Sequence, residues 1–184
     1  MGFRAPDRPL TDGVIALRPW RPDDVDAVVD MCQDAEIQRF TSVPANYTRD
    51  DALLFMAQQV AAQQRGDTVP FAIADATDDH VLGSIDVRQR DDNRASIGYL
   101  VAAPARGRGV ASRAVRLLSR WAVAELGVAR LEIQVRPDNP ASQTVAERAG
   151  FVREGVLRSH LLIKGRRYDA VVFSLIADDV GSRT

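Results

Sequence analysis

The sequence reads as an α/β (α+β) domain: a central mixed sheet of six to seven strands, mostly antiparallel, flanked by helices. Three observations carry that reading. Apolar residues recur at helical spacing over Leu53 to Ala61 and again over Val110 to Trp121. Between these stretches, three short strand-like runs follow one another across polar turns, which favours antiparallel neighbours. In the second half, strands alternate with helices, which makes the sheet mixed.

Each element has a local cause. Val14–Leu17 is a short apolar run ending at Arg18-Pro19, a first strand. Pro22 opens a helix through Cys32, with Asp23 and Asp24 expected at the positive end of its dipole. A second short helix covers Ala35 to Phe40. Thr48 caps the next helix with Asp51 three residues on, and Leu53, Met56, Ala57, Val60 and Ala61 carry it to Gly66. Strands follow at Val69–Ala74, Val81–Val87 and Ala95–Val101. A long amphipathic helix runs from Gly109 to Leu126 and stops at Gly127. Leu131–Val135 is a buried strand, and Asn139-Pro140 starts a helix that Gly150 ends. Phe151–Leu157 and Asp169–Leu175 close the sheet.

The 184 residues fit one domain, expected over 13–177, with flexible tails at 1–12 and 178–184. Apolar content of 46% and charged content of 27% describe a globular chain that buries its own core. A net charge of -1 and 6% aromatic residues argue against a nucleic-acid binder. No apolar run is long enough for a membrane, and the N-terminus lacks the apolar middle of an export signal, so the expected location is the cytoplasm. The single cysteine, Cys32, makes an internal disulfide impossible and reads as a small core residue. No Cys/His group has ligand spacing, so no metal is expected.

The segment that carries chemistry runs from Ile97-Gly98-Tyr99-Leu100-Val101 through Pro104 into Arg106-Gly107-Arg108-Gly109-Val110-Ala111-Ser112. A strand leads into a loop with two glycines, and the loop feeds a helix N-terminus, with Arg113 a turn further on. Free N–H groups and the positive end of the dipole make this a cradle for a diphosphate. Gly-Lys-Ser/Thr is missing, which excludes a Walker loop, and a dinucleotide fingerprint fits poorly because Ser112 stands where a third small residue is needed.

The pattern Arg106-x-x-Gly109-x-Ala111 resembles the coenzyme A signature of the GNAT superfamily. Leu17-Arg18-Pro19, Leu82-Gly83-Ser84-Ile85, Ile97-Gly98-Tyr99, Asn139-Pro140-Ala141-Ser142, Gly150-Phe151-Val152-Arg153-Glu154-Gly155 and Tyr168-Asp169 fall in the order and spacing of its RimJ/RimL-type branch. The resemblance covers roughly Ile15 to Leu175. It implies the GNAT fold, with a splayed strand pair at the cofactor site. It implies an N-acetyltransferase that moves an acetyl or short acyl group directly from acetyl-CoA to a primary amine. A protein N-terminal or lysine amine is the expected acceptor class; small amines such as drugs or polyamines, and a catalytically weak acyl-CoA sensor, are the rival readings. Relatives are often homodimers.

By the same resemblance, Leu100 and Val101 hold the pantetheine, and Arg106, Gly107, Arg108, Gly109, Val110, Ala111 and Ser112 hold the pyrophosphate. Asn139 is a ligand, a helix cap, or both. Ser142 takes the place near the departing sulfur, although a first-turn serine is common without function. Some relatives use a glutamate after the Glu-Gly pair as base; here Val156 to Leu161 holds no carboxylate. His160 and Asp86 are the remaining candidates for the base, beside a water chain. Arg166-Arg167 reads either as the rim of the acceptor mouth or as a solvated hairpin tip.

Overall fold

The structure is a computed structural model that describes residues 2–181. The chain runs β1 (Leu10–Thr11), β2 (Ile15–Arg18), α1 (Val25–Cys32), α2 (Ala35–Phe40), α3 (Arg49–Arg65), β3 (Thr68–Asp75), β4 (Val81–Gln89), β5 (Arg94–Val101), α4 (Val110–Leu126), β6 (Arg130–Val135), α5 (Pro140–Arg148), β7 (Val152–Ile163), β8 (Arg166–Ile176) and α6 (Ala177–Gly181). One open sheet has the order β1-β2-β3-β4-β5-β6-β8-β7. Every neighbouring pair is antiparallel except β5–β6, which α4 connects as a parallel crossover.

The main core lies between one face of the sheet and α4 with α5. Phe71, Ile85, Leu131 and Phe173 are fully buried there beneath Ala114, Val115 and Leu118, one stripe of α4. A smaller cluster gathers Val25, Val28, Cys32, Tyr47 and Ala52 where α1 and α3 meet. Burial pushes the Cys32 thiol up to about 11, so it behaves as the core residue its composition suggests. Among the described residues no helix is long and apolar enough to cross a membrane.

Sequence and structure differ at the edges of the sheet. The expected six to seven strands become eight, because Leu10–Thr11 pairs with Leu17 and Ala16. Residues 1–12 were expected to form a flexible tail, yet Phe3 and Ala5 pack on the main core and Asp12 pairs with Arg113. A two-residue strand carries no periodicity to read. At the other end, α6 occupies 177–181, inside the second expected tail; 182–184 lie outside the described residues. β7 and β8 extend to Ile163 and back from Arg166, well past the expected Leu157 and Asp169. β7 is an edge strand exposed along most of its length, so nothing imposes alternation on its sequence. A tight turn at Lys164-Gly165, both residues at positive φ, closes the hairpin in the manner a two-residue connection requires.

The expected helix from Pro22 divides into a 3-10 turn, Pro22–Asp24, and α1. Asp24 does not serve the dipole alone. Its carboxylate accepts two hydrogen bonds from Arg18, at 2.8 and 2.9 Å, and one from the Arg21 N–H at 2.7 Å. Arg18 also reaches Asp79 through Nε at 2.7 Å, which ties β2 to the β3–β4 turn. Burial opposes ionisation of Asp24, but the bonds from Arg18 and Arg21 outweigh it and hold the carboxyl below the usual range.

Removing one member of such a buried pair strands the other. Asp24→Asn is expected to lower unfolding stability by about 3 kcal/mol in urea titrations at neutral pH. Because the folded pKa is depressed, this stabilisation exists above the unfolded value of about 3.9 and is lost as pH falls through the folded value. The gap between wild type and Asp24→Asn should therefore close in acid; a gap of constant size would refute the assignment.

Candidate functional site

The site begins where two parallel strands part. β5 and β6 pair only at Arg94–Arg130, Ala95–Leu131 and Ser96–Glu132. Beyond Ser96, β5 stays paired with β4 as far as Val101, and β6 stays paired with β8 as far as Val135. The two half-sheets diverge, and a cleft of about 370 Å³ opens beside Tyr99, Leu100 and Val101. Tyr99 and Val101 share the face of the core residues Ile85 and Ile97, and α5 forms the far wall with Asn139, Ala141, Ser142 and Val145.

The end of β5 leads through a 3-10 turn, Ala103–Ala105, into the two-glycine loop. Gly107 and Gly109 sit at φ +73° and +77°, conformations that L side chains rarely adopt. Gly109 is the N-cap of α4, and the first helical bond runs from the Arg113 N–H to the Gly109 carbonyl at 3.1 Å. The N–H groups of Val110, Ala111 and Ser112 precede that bond and have no acceptor within the helix. All three residues line the cleft, so its floor combines free donors with the positive end of a 17-residue helix.

Two arginines in and beside this loop are paired with carboxylates of other elements. Arg106 turns its guanidinium to α2, with 2.6 Å contacts to both Asp34 and Glu36, and its Nε donates to the Val101 carbonyl. That pairing, with burial opposing it, lowers the Asp34 carboxyl below its ordinary value. Arg113 pairs with Asp12 at 2.6 Å. The backbone of the loop faces the cleft while two of its cations are already matched.

Near the strand opening, the Tyr99 hydroxyl lies 2.7 Å from Ser142 Oγ and 3.1 Å from the Ser142 carbonyl. Asn139 caps α5, its Oδ1 accepting the Ser142 N–H at 3.1 Å, which supports the cap reading and leaves the residue in the lining. Phe40 of α2 enters the cleft, and the Arg136 guanidinium lies between the rings of Phe40 and Tyr168, 5.1 and 3.9 Å from their centres. Lys164 at the hairpin tip donates to the Gln38 carbonyl at 2.6 Å, so the β7–β8 hairpin rests on α2.

The sequence of residues 15–152 matches the family model described as acetyltransferase (GNAT) domain. The chain belongs to the GNAT acetyltransferase family. The uncharacterized N-acetyltransferase p20 of Bacillus licheniformis is 27% identical over 168 residues, covering 88% of this chain and 92% of its own length. The ribosomal-protein-serine acetyltransferase of Escherichia coli (strain K12) is 28% identical over 133 residues, 71% of this chain and 73% of its own. The solved structure of Mycobacterium smegmatis RimJ in complex with CoA-disulfide superposes with a TM-score of 0.85 at 24% identity, over 98% of this chain and 92% of that one.

Within this GNAT chain, Leu100, Val101, Arg106, Gly107, Gly109, Val110, Ala111, Ser112, Asn139 and Ser142 line one cleft. Arg108 is not among the lining residues. His160 sits exposed on the bulged part of β7, outside the lining, so the structure does not bring it to the other candidates. Glu154 is held by Arg130 and by the Ser174 hydroxyl at 2.6 Å, a strand-to-strand tie that lowers its carboxyl to about 2. Asp86, also outside the lining, is partly buried on β4 opposite Gly98, the first residue on its face beyond the last β5–β6 pair. Burial pushes its carboxyl up, against the pull of Arg88 at 2.7 Å. Glu36, Ile37 and Phe40 of α2, and Thr41 just after it, were not foreseen; they reach the cleft through contacts some seventy residues apart in sequence, as in the Arg106–Glu36 pair.

Gly109→Val places a β-branched residue at positive φ in the cradle. The strain costs about 1–2 kcal/mol in urea unfolding. Coenzyme A binding by calorimetry should weaken at least about tenfold beyond what this instability explains; unchanged affinity would remove the cradle from the site.

Proposed function

We propose that this chain transfers an acetyl group from acetyl-CoA directly to a primary amine, with a protein N-terminal amine as the acceptor class. One observation carries the reading: a parallel strand pair opens beside a helix N-terminus whose free amides face the same cleft. The residues fit the group that the family uses. A diphosphate matches the amides from Gly107 to Ser112, and an extended pantetheine arm matches the unpaired edge of β5 past Ser96. Bound there, acetyl-CoA supplies a thioester carbon open to attack. The E. coli relative is by its name an acetyltransferase of serine in a ribosomal protein, which supports a protein amine.

The chain's own residues then have three tasks. The Val101 N–H, on the edge of β5 turned away from β4, holds the arm and stabilises charge that develops on the carbonyl oxygen. Ser142 faces the sulfur with a hydroxyl able to donate. The amine must attack as the neutral form. An α-amine, with a pKa of about 7.7–8.0, needs less help than a lysine at about 10.4. Asp86 is the carboxylate best placed to take the proton, directly or through water, because it lies behind the opening on the face opposite Tyr99. A buried carboxyl with a raised pKa is a better proton acceptor than an exposed one.

Thiol release from acetyl-CoA with a panel of peptide and small amines tests the function. Turnover fastest on peptide N-termini supports it; coenzyme A binding without turnover on any amine would make the chain a sensor instead. Asp86→Asn should lower kcat by about a hundredfold. In wild type, kcat should decline as pH falls through a value above the ordinary carboxylate range of about 3.9, and Asp86→Asn should lose that limb. An unchanged kcat and pH profile, in a variant with wild-type urea stability, would strike Asp86 from the mechanism.

A further inference from the structure

We infer that Tyr99 is a positioning residue that directs the Ser142 hydroxyl toward the departing sulfur. The inference rests on the reading above, in which Ser142 faces that sulfur. Both side chains line the cleft, Tyr99 from β5 and Ser142 from the first turn of α5. The two oxygens are 2.7 Å apart, and the Ser142 carbonyl accepts at 3.1 Å from the same phenol.

Each hydroxyl carries one proton, so two arrangements satisfy these distances. In the first, Ser142 donates to Tyr99 and Tyr99 donates to the Ser142 carbonyl. Both protons are then used inside the protein. In the second, Tyr99 donates to Ser142 Oγ, and the serine proton is left for an acceptor in the cleft. Negative charge on sulfur favours the second, and a donor behind Ser142 makes the serine a stronger donor in turn. Burial pushes the Tyr99 hydroxyl up to about 12, so it remains protonated through the range in which the amine titrates. The bond from the Ser142 N–H to Asn139 fixes the backbone of that turn, which leaves the hydroxyl rotor as the coordinate that Tyr99 sets.

The step balances as follows. The amine nitrogen attacks the thioester carbon, the N–C bond forms, and the C–S bond breaks with its electron pair going to sulfur. The proton of the ammonium passes to water or to Asp86. Ser142 donates a hydrogen bond to the new thiolate and keeps its proton, and water later protonates the sulfur. Tyr99 touches none of the reacting atoms.

The test compares Tyr99→Phe, Ser142→Ala and the double variant. Three quantities are read: kcat, the affinity for coenzyme A, and the pKa of the coenzyme A thiol bound to the protein, titrated by thiolate absorbance. Each single variant should raise the bound thiol pKa by about one unit and lower kcat by about tenfold, with affinity for the neutral thiol unchanged. The double variant should be no worse than either single one. If Ser142→Ala changes both quantities and Tyr99→Phe changes neither, or if the two effects add, the role of Tyr99 is overturned. If Ser142→Ala changes neither, the underlying reading of Ser142 fails instead. Should Tyr99→Phe prove unstable, replacing Tyr99 with 3-fluorotyrosine keeps the bond with a stronger donor; the bound thiol pKa should then fall, and no fall overturns the inference.

Discussion

A parallel pair that ends after three residue pairs leaves two strands with one partner each, and the fold is arranged around that loss. Backbone groups buried without partners are costly, so an interior strand edge is tolerated only where something else meets it. Here β5 stays paired with β4 to Val101 and β6 with β8 to Val135, so each half keeps its own ladder of backbone bonds. The divergence therefore need not destabilise either half. It leaves a row of donors and acceptors along β5 at the point where the chain turns into α4. A ligand with an extended amide-bearing arm and a diphosphate matches both features in sequence, strand edge first and helix terminus second.

Charge is handled with equal economy. The loop proposed to receive an anion has arginines in and beside it, yet Arg106 is held by Asp34 and Glu36 at the start of α2 and Arg113 by Asp12. Cations already matched offer little generic attraction to phosphate, which agrees with a chain of net charge -1. Recognition then falls to backbone N–H groups held in one geometry by two glycines at positive φ. The same pairing gives Arg106 a second effect. It holds α2 against the loop, and α2 in turn carries Phe40 into the cleft, where Arg136 and Tyr168 stack on it in series. Phosphate loop, α2 and β7–β8 hairpin thus form one connected rim.

The parts legible in the sequence were those with local causes. Thr48 with Asp51, Asn139-Pro140 and the two-glycine loop announce their helices because capping and positive φ depend on residues a few positions apart. The backbone that lines the cleft was legible for the same reason, since strand, loop and helix are contiguous. Side-chain destinations were not. Arg106 and Asp24 each read as partners of a helix dipole or an anion, and both found partners in other elements. β7 escaped its full length because an exposed edge imposes no alternation, and the sequence did not show that His160 falls on its exposed, bulged part, outside the cleft lining. Tyr99 was visible as part of a motif, but its bond to Ser142 spans 43 positions and needs the fold to bring the two together.

The division of labour across the sheet follows from strand periodicity. Residues 98 and 99 of β5 face opposite sides, as every adjacent pair in a strand does. Tyr99 turns toward α5 and Ser142, while Gly98 leaves room on the other side, where a side chain would come within 3.4 Å of Asp86 Oδ1. Asp86 and Ser142 are thereby set on two sides of one strand edge, as the proposed transfer requires if amine and thioester arrive from opposite faces. This separation depends on the β4–β5 register. Ile85 opposes Tyr99 and Val87 opposes Ile97 on the buried face, so a slip by one residue would expose that apolar row and bring Asp86 into the core. The apolar face of the sheet therefore determines on which side of β5 each polar group stands.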